Sequence, residues 1–380
     1  VNAPFAIDAR WYGNSGSGVA TYAHSLLAGL METPITERIC VISNHIDRLP
    51  EAIKRSPRFD FISLPGNPMS IQHQRLLPSI VAAHQIKTLH TVDTHAPLYA
   101  RCRKIVTCHD VIPLVLPHHA AGGRKSQFKW LWCRWLAIQF GRAHRIVTIS
   151  QCSQRDIARL VPQADGKLIV VLPALYQPEL RSTQVPTQSS NVLPLTNEAI
   201  ILSVGRRAPY KNVAGVIRAF YELTKIHPAP CRLVITGPLD HRYTEPETLA
   251  RQLGIADRIT FTGYVDDAEL AQLYQRAALF VFPSLYEGFG LPVLEAMAAG
   301  VPVVCSNRAS LPEVCGQAAL LADPESPRAL AAAMERVLSD AALSEALRTA
   351  GRQRAASFTP ARMAEALLPI YLEAASVCGA

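Results

Sequence analysis

The chain has 380 residues, 49% hydrophobic and 18% charged, with a formal net charge of +8. That length supports two domains with well-buried cores, and the composition excludes intrinsic disorder. No apolar run approaches the roughly 18–20 residues that span a bilayer, and nine scattered cysteines without a C-x-x-C pair fit reduced thiols, not a disulfide framework or a zinc site.

The opening VNAPFAIDAR carries no secretory pattern, so a cytoplasmic chain is expected. Phe5–Ala9 reads as a buried strand, Gly13, Gly16 and Gly18 crowd the following turn, and Val19, Tyr22, Leu26 and Leu30 recur at helical spacing. Such a turn brings backbone close to a phosphate, or is a plain tight turn. Six short apolar runs follow: 39–43, 61–65, 88–92, 105–109, 146–150 and 168–172. Alternating with helix-compatible segments, they predict a parallel sheet covered on both faces. Ligands of such sheets bind beyond the carboxyl ends of the strands, where His109 and Asp110 fall.

Residues 124–145 combine three of the four tryptophans with six Lys/Arg. A helical wheel puts Phe128, Leu131, Trp132 and Trp135 on a core stripe and Trp130 opposite, near Arg134. Aromatic and basic residues together suit a membrane interface. Nucleic acid is disfavoured, because no recognised module surrounds the patch. Residues 1–175 hold 20 Lys+Arg against 10 Asp+Glu, and 176–380 hold 18 against 20. The first half therefore faces something anionic.

Residues 176–198 are polar and proline-dotted and read as a linker. A second strand–helix series occupies 200–205, 232–237, 259–264, 279–284, 302–307 and 318–323, and Pro360–Ala375 reads as an amphipathic helix. Arg206 and Lys211, in SVGRRAPYKN, lie just past a strand end, where two cations can stabilise a departing diphosphate. The stretch PSLYEGFGLPVLEAMAAG at 283–300 places Glu287 and Glu295 around a glycine run. Pro292 suits a first helical position, with Glu295 in the first turn. A helix start ready for an anion, flanked by carboxylates that accept from hydroxyls, points to a sugar-nucleotide site.

EGFGLPVLEAMAAGVPVV (287–304) resembles the signature of retaining glycosyltransferases of family 4. HDVIP at 109–113, with Val111 where leucine is frequent, and TGYV at 262–265 are similar to the same family; LPAL (172–175) departs from it, since a glycine commonly follows that proline. The resemblance implies an α/β GT-B fold, two Rossmann-like doubly wound domains facing each other across a cleft. They would be an acceptor-binding domain at 1–175, the linker at 176–198 and a nucleotide-sugar-binding domain at 199–360. Residues 361–380 would be a C-terminal helix free to pack back on the first domain. It also implies the site. Glu295 would hold the ribose hydroxyls. Arg206 and Lys211 would hold the diphosphate with backbone N–H groups of Phe289, Gly290 and Leu291, and Tyr264, Gly16 and Gly18 would line the donor. Glu287 would bind donor-sugar hydroxyls and His109 would meet the sugar.

No protein nucleophile is required by the family's usual same-face mechanism. The chain has no Asp-x-Asp, so a metal-independent reaction without a cofactor is expected. The SNRASLPEVCGQAALLADP stretch (306–324) with HDVIP looks most like bacterial mannosyl- or rhamnosyl-type enzymes of surface-polysaccharide assembly. GDP-mannose or a GDP-deoxyhexose is then the expected donor. The expected partners are a lipid-linked saccharide acceptor and the anionic inner face of the cytoplasmic membrane, met peripherally through the N-terminal domain. A sugar-nucleotide epimerase of similar fold, a basic nucleic-acid-binding protein and a non-catalytic scaffold are the alternatives.

Overall fold

The computed structural model of the protein describes residues 5–12, 18–34, 37–117, 129–175, 198–238 and 243–376. Of these, residues within Val1–Leu114, Phe128–Tyr176 and Phe358–Ala380 form one compact unit, and those within Val115–Gln127 and Gln177–Ser357 form a second. Residues 176–197 of the expected linker lie outside the described residues.

The first sheet and its connections run β1 (Phe5–Asp8), α1 (Gly18–Glu32), β2 (Ile39–Ser43), α2 (Glu51–Lys54), β3 (Phe59–Ser63), α3 (His73–Ala83) and β4 (Thr88–Thr91). Then come β5 (Arg103–Cys108), α4 (Ile112–Val115), α5 (Lys129–Arg142), β6 (Arg145–Thr148), α6 (Gln151–Leu160) and β7 (Leu168–Val170). All seven strands are parallel, in the order β3-β2-β1-β4-β5-β6-β7. The apolar runs dictate this: every residue of β2 and β4 is buried, so both faces of the sheet are covered, as a parallel sheet requires.

The second sheet repeats the plan with β8 (Ala199–Val204), α7 (Val213–Ile226), β9 (Cys231–Thr236), α8 (Glu245–Gln252), β10 (Ile259–Gly263), α9 (Asp267–Arg276) and β11 (Ala277–Phe282). It continues with α10 (Leu291–Ala298), β12 (Val303–Ser306), α11 (Leu311–Cys315), β13 (Leu320–Ala322), α12 (Pro327–Ser339) and α13 (Ala341–Ala356). Its parallel order is β10-β9-β8-β11-β12-β13. In each sheet the order reverses at the centre, between β1 and β4 and between β8 and β11, which opens a crevice at the strands' carboxyl ends. The two doubly wound sheets are the expected α/β architecture.

The face of α5 differs from the expected one. Leu136, Gln139 and Phe140 are its buried residues, Trp132 and Trp135 are half-buried, and Leu131 is exposed. Phe128 lies outside the described residues. The stripe Trp132–Leu136–Phe140 follows i, i+4 spacing, so the helix is turned away from Leu131. Polar Gln139 joins the core because its amide donates to Ala96 O at 3.1 Å.

After α13 the chain enters the first unit again as α14 (Pro360–Ser376). Gly29 on α1 admits it: a Cβ there would stand 2.0 Å from Pro360 O. From α14 a buried polar chain reaches into the sheet. Tyr371 Oη lies 2.8 Å from His90 Nδ1, His90 Nε2 lies 2.8 Å from Thr107 Oγ1, and Tyr22 Oη lies 3.4 Å from that hydroxyl. Burial, with nearby His109, pushes the His90 imidazole down to about 3.

His90 is therefore neutral when folded but titrates near 6.5 when unfolded. Its contribution to stability is complete above that value and is lost as pH falls towards 3, by about 1.4 kcal/mol per pH unit. Denaturant titrations between pH 7 and pH 5 should give His90→Asn a slope of stability against pH shallower by about one proton than the wild type's. Equal slopes would show that His90 is not the buried neutral group.

Candidate active site

In the second unit the candidate groups gather where β8 and β11 end. The turn Pro209–Lys211 closes on Asn212, which holds a left-handed backbone at φ 56° and caps α7 by accepting from Gly215 N. The Asn212 amide donates to Pro283 O at 3.2 Å and to Pro324 O at 2.7 Å. Leu285 N donates to Tyr210 O at 2.8 Å. The bonds with Pro283 and Leu285 tie the turn to the loop after β11, and the one with Pro324 ties it to the segment after β13. They also aim Lys211: its Nζ donates to both carboxylate oxygens of Glu287, at 2.8 and 3.0 Å. The two side chains are 15% and 9% exposed, so this pair is largely desolvated.

Beyond Glu287 the glycine run is shaped from beneath. Ser310 Oγ, fully buried, lies 2.9 Å from Glu287 O and 2.8 Å from Phe289 O, with one hydroxyl proton to give. Gly290 takes φ +115° at the cap of α10, and a Cβ there would come 2.6 Å from Leu311 Cδ2. The helix begins at Leu291, so Pro292 is its second residue and Glu295 lies just past the first turn. That corrects the expected placement. Glu295 is buried, and Oε2 accepts from Tyr274 Oη at 2.9 Å.

The two arginines after β8 have different surroundings. Arg206 is exposed. Arg207 is 2% exposed, ion-paired with Glu247, and lies over the Phe261 ring at 4.6 Å. Its Nε and Nη2 have no hydrogen-bond partner. Tyr264 is 57% exposed just after β10.

In the first unit His109 stands at the end of β5, half-buried. Its Nε2 lies 2.8 Å from Val92 O. A carbonyl only accepts, so Nε2 carries the proton and Nδ1 is left as an acceptor. Burial lowers the pKa of His109, favouring this neutral form. Tyr22 packs edge-on at 4.9 Å, and Asp110 accepts from Ile112 N at 3.0 Å, which makes it a local cap of α4. Gly18 is the first residue of α1; Gly13 and Gly16 lie outside the described residues.

Residues absent from the sequence reading support all of this. Asn212 carried a usable signal, a capping residue before an apolar helix. Ser310 and Tyr274 carried none. Neither did the Asp8–Arg10 pair, with Nε–Oδ1 at 2.8 Å and Nη2–Oδ2 at 2.7 Å, nor Asp93, which accepts from Trp11 and lies 3.1 Å from His95 Nδ1.

The chain resembles known proteins over most of its length. The family model described as Glycosyltransferase Family 4 matches residues 16–174, and that described as Glycosyl transferases group 1 matches 186–354. The serotype-specific mannosyltransferase WbdA of Escherichia coli is 30% identical over 275 residues, 69% of this chain but 32% of that protein, so the chain spans about a third of its length. The O-antigen chain mannosyltransferase B of Escherichia coli is 28% identical over 305 residues, 75% of this chain and 77% of that one. Sucrose-phosphate synthase of Thermosynechococcus elongatus superposes at a TM-score of 0.76, with 21% identity over 98% of each chain, a likeness of GT-B fold.

The pinning role of Asn212 is measurable. Asn212→Ala loses a helix cap and two partly buried bonds and keeps an unfavourable left-handed backbone. It should cost about 2–3 kcal/mol in denaturant unfolding. Asn212→Gly, free of the backbone strain, should cost about 1 kcal/mol less. An alanine variant as stable as the wild type would show that the turn is held otherwise.

Proposed function

The chain belongs to the family 4 glycosyltransferases, and from that premise we propose that it transfers mannose, or a related deoxyhexose, from its GDP-linked form. The acceptor is a lipid-linked saccharide of bacterial lipopolysaccharide or O-antigen assembly, and anomeric configuration is retained. The observation that carries this reading is the desolvated Lys211–Glu287 pair between the β8 and β11 loops, with buried Glu295 on the helix that follows. Lys211 and exposed Arg206 are pure donors suited to a diphosphate; Glu287 and Glu295 are acceptors suited to sugar and ribose hydroxyls. Backbone N–H groups of Phe289, Gly290 and Leu291 open α10 towards the same anion. His109 offers Nδ1 to a sugar hydroxyl.

The chemistry then needs no protein nucleophile. The bond from the anomeric carbon to the β-phosphate oxygen breaks, and the acceptor oxygen bonds that carbon on the same face. Its proton passes to the departing phosphate. The cations stabilise charge that grows as the diphosphate leaves, so the reaction is proposed to proceed without a metal.

Among GDP-, UDP- and ADP-sugars, GDP-mannose should raise the melting midpoint most, since only a ligand of the folded state stabilises it. Release of GDP should require the acceptor, whereas turnover without acceptor would indicate an epimerase. Lys211→Ala and Arg206→Ala should each lower kcat by about 10²–10³-fold, by analogy with loss of one charge-stabilising donor. Activity should survive EDTA; loss that magnesium restores would overturn the metal-free reading.

We further propose reversible membrane contact through the first unit. Trp130, Leu131 and Ile138 on α5 are 58%, 44% and 41% exposed, with Arg134 over the Trp130 ring at 6.0 Å. No helix among the described residues is long and apolar enough to cross a membrane. Basic residues beside exposed aromatics suit the anionic cytoplasmic leaflet, each contributing about 1 kcal/mol near the surface. Sedimentation with anionic vesicles should fall with salt and fall further for Trp130→Ala, whose melting midpoint should barely move. Half-buried Trp135→Ala should do the reverse. A bound fraction indifferent to lipid charge and salt would defeat the proposal.

A further inference from the structure

Tyr274, on α9, is fully buried. Its hydroxyl lies 2.9 Å from Glu295 Oε2 and 3.3 Å from Pro292 O. Both partners accept only, so the tyrosine must be the donor. Burial, reinforced by the Glu295 charge, raises its pKa well above the ordinary value, and the proton stays in place at any working pH. Phe280 fixes the ring, with centroids 5.7 Å apart at 52°.

We propose that Tyr274 is a positioning residue for nucleotide recognition, holding one oxygen of Glu295 so that the carboxylate is presented in a single orientation to the ribose hydroxyls. This rests on the reading of Glu295 given above. A glutamate has rotamer freedom that must be lost on binding. A carboxylate already held by a buried donor loses less. The hydroxyl has one proton, and it lies with the nearer Glu295 oxygen at 2.9 Å, not with the Pro292 carbonyl at 3.3 Å. Phenylalanine would fill the site equally well, which makes the hydroxyl separable from the packing.

The test compares GDP with 2′,3′-dideoxy-GDP by calorimetry, and UDP with its dideoxy form in parallel. The proteins are wild type, Tyr274→Phe, Glu295→Gln and the double variant. Wild type should bind the ribonucleotide about tenfold more tightly than the dideoxy form, the worth of one or two hydrogen bonds to a charged group. Tyr274→Phe should bring that ratio within about threefold, and should add no further loss in the Glu295→Gln background, as expected of residues acting through one contact. A wild type that binds neither base, or does not discriminate, would overturn the ribose reading of Glu295 and this proposal with it. A wild type that discriminates beside a Tyr274→Phe with an unchanged ratio, whatever its melting midpoint, would leave Glu295 in place and reduce Tyr274 to packing.

Discussion

The ion pair between Lys211 and Glu287 joins two loops that leave adjacent central strands, β8 and β11. At that point the chain turns one way through α7 and the other way through α10. The crevice of a doubly wound sheet exists because the connections diverge there, and divergence alone would leave two independent loops. Two further bonds prevent it, Asn212 to Pro283 O and Leu285 N to Tyr210 O, while Asn212 to Pro324 O ties the same turn to the segment after β13. The pair is desolvated, so its attraction is opposed by the loss of hydration of both ions. Such a pair is weak evidence for stability. It suits the proposed site, in which Lys211 meets another anion and Glu287 meets hydroxyl donors.

The first unit solves a different problem, that of polar groups inside a sheet. Two of its imidazoles are fixed in single tautomers by their neighbours. His73 Nδ1 faces the Arg10 guanidinium, which only donates, so its Nε2 carries the proton given to His95 O at 2.7 Å. His109 is fixed the same way by Val92 O. Burial lowers the pKa of both. Neutral imidazoles of known polarity can be buried beside an ion pair such as Asp8–Arg10 without adding unpaired charge.

Much of this was legible in the sequence, and the limits have physical causes. Continuous apolar runs marked the strands because buried parallel strands have no polar face; β2 starts and ends where its run does, while β3 begins at Phe59 and ends before Pro65–Gly66. Glu287 and Lys211 were visible as residue types at strand ends, but their pairing across 76 positions is tertiary. Arg206 and Arg207 are alike in sequence; only the side of the turn each occupies makes one exposed and the other a buried partner of Glu247. Tyr274 reads as one more apolar residue of α9, and nothing in its spacing announces Glu295. The stripe assigned to α5 failed because a helix carrying four aromatic residues offers several plausible apolar faces.

The hydrogen-bond polarities in the two units sort in one direction. Around the diphosphate reading stand groups that only donate: Lys211, Arg206 and backbone N–H groups at the start of α10. The acceptors proposed for the hydroxyls are Glu287 and Glu295 in the second unit; in the first unit, by itself, Nδ1 of His109 is an acceptor too. Each is fixed by a second residue. Glu287 is fixed by Lys211 and through its backbone by Ser310, Glu295 by Tyr274, and His109 by Val92 O. A nucleotide-sugar presents the complementary pattern, an anion flanked by hydroxyls on both sides. A nucleic-acid phosphate backbone would engage the donors but would set the buried carboxylates facing negative charge, which is unfavourable. The proposed nucleotide-sugar site rests on this division of donors and acceptors more than on the net charge of +8.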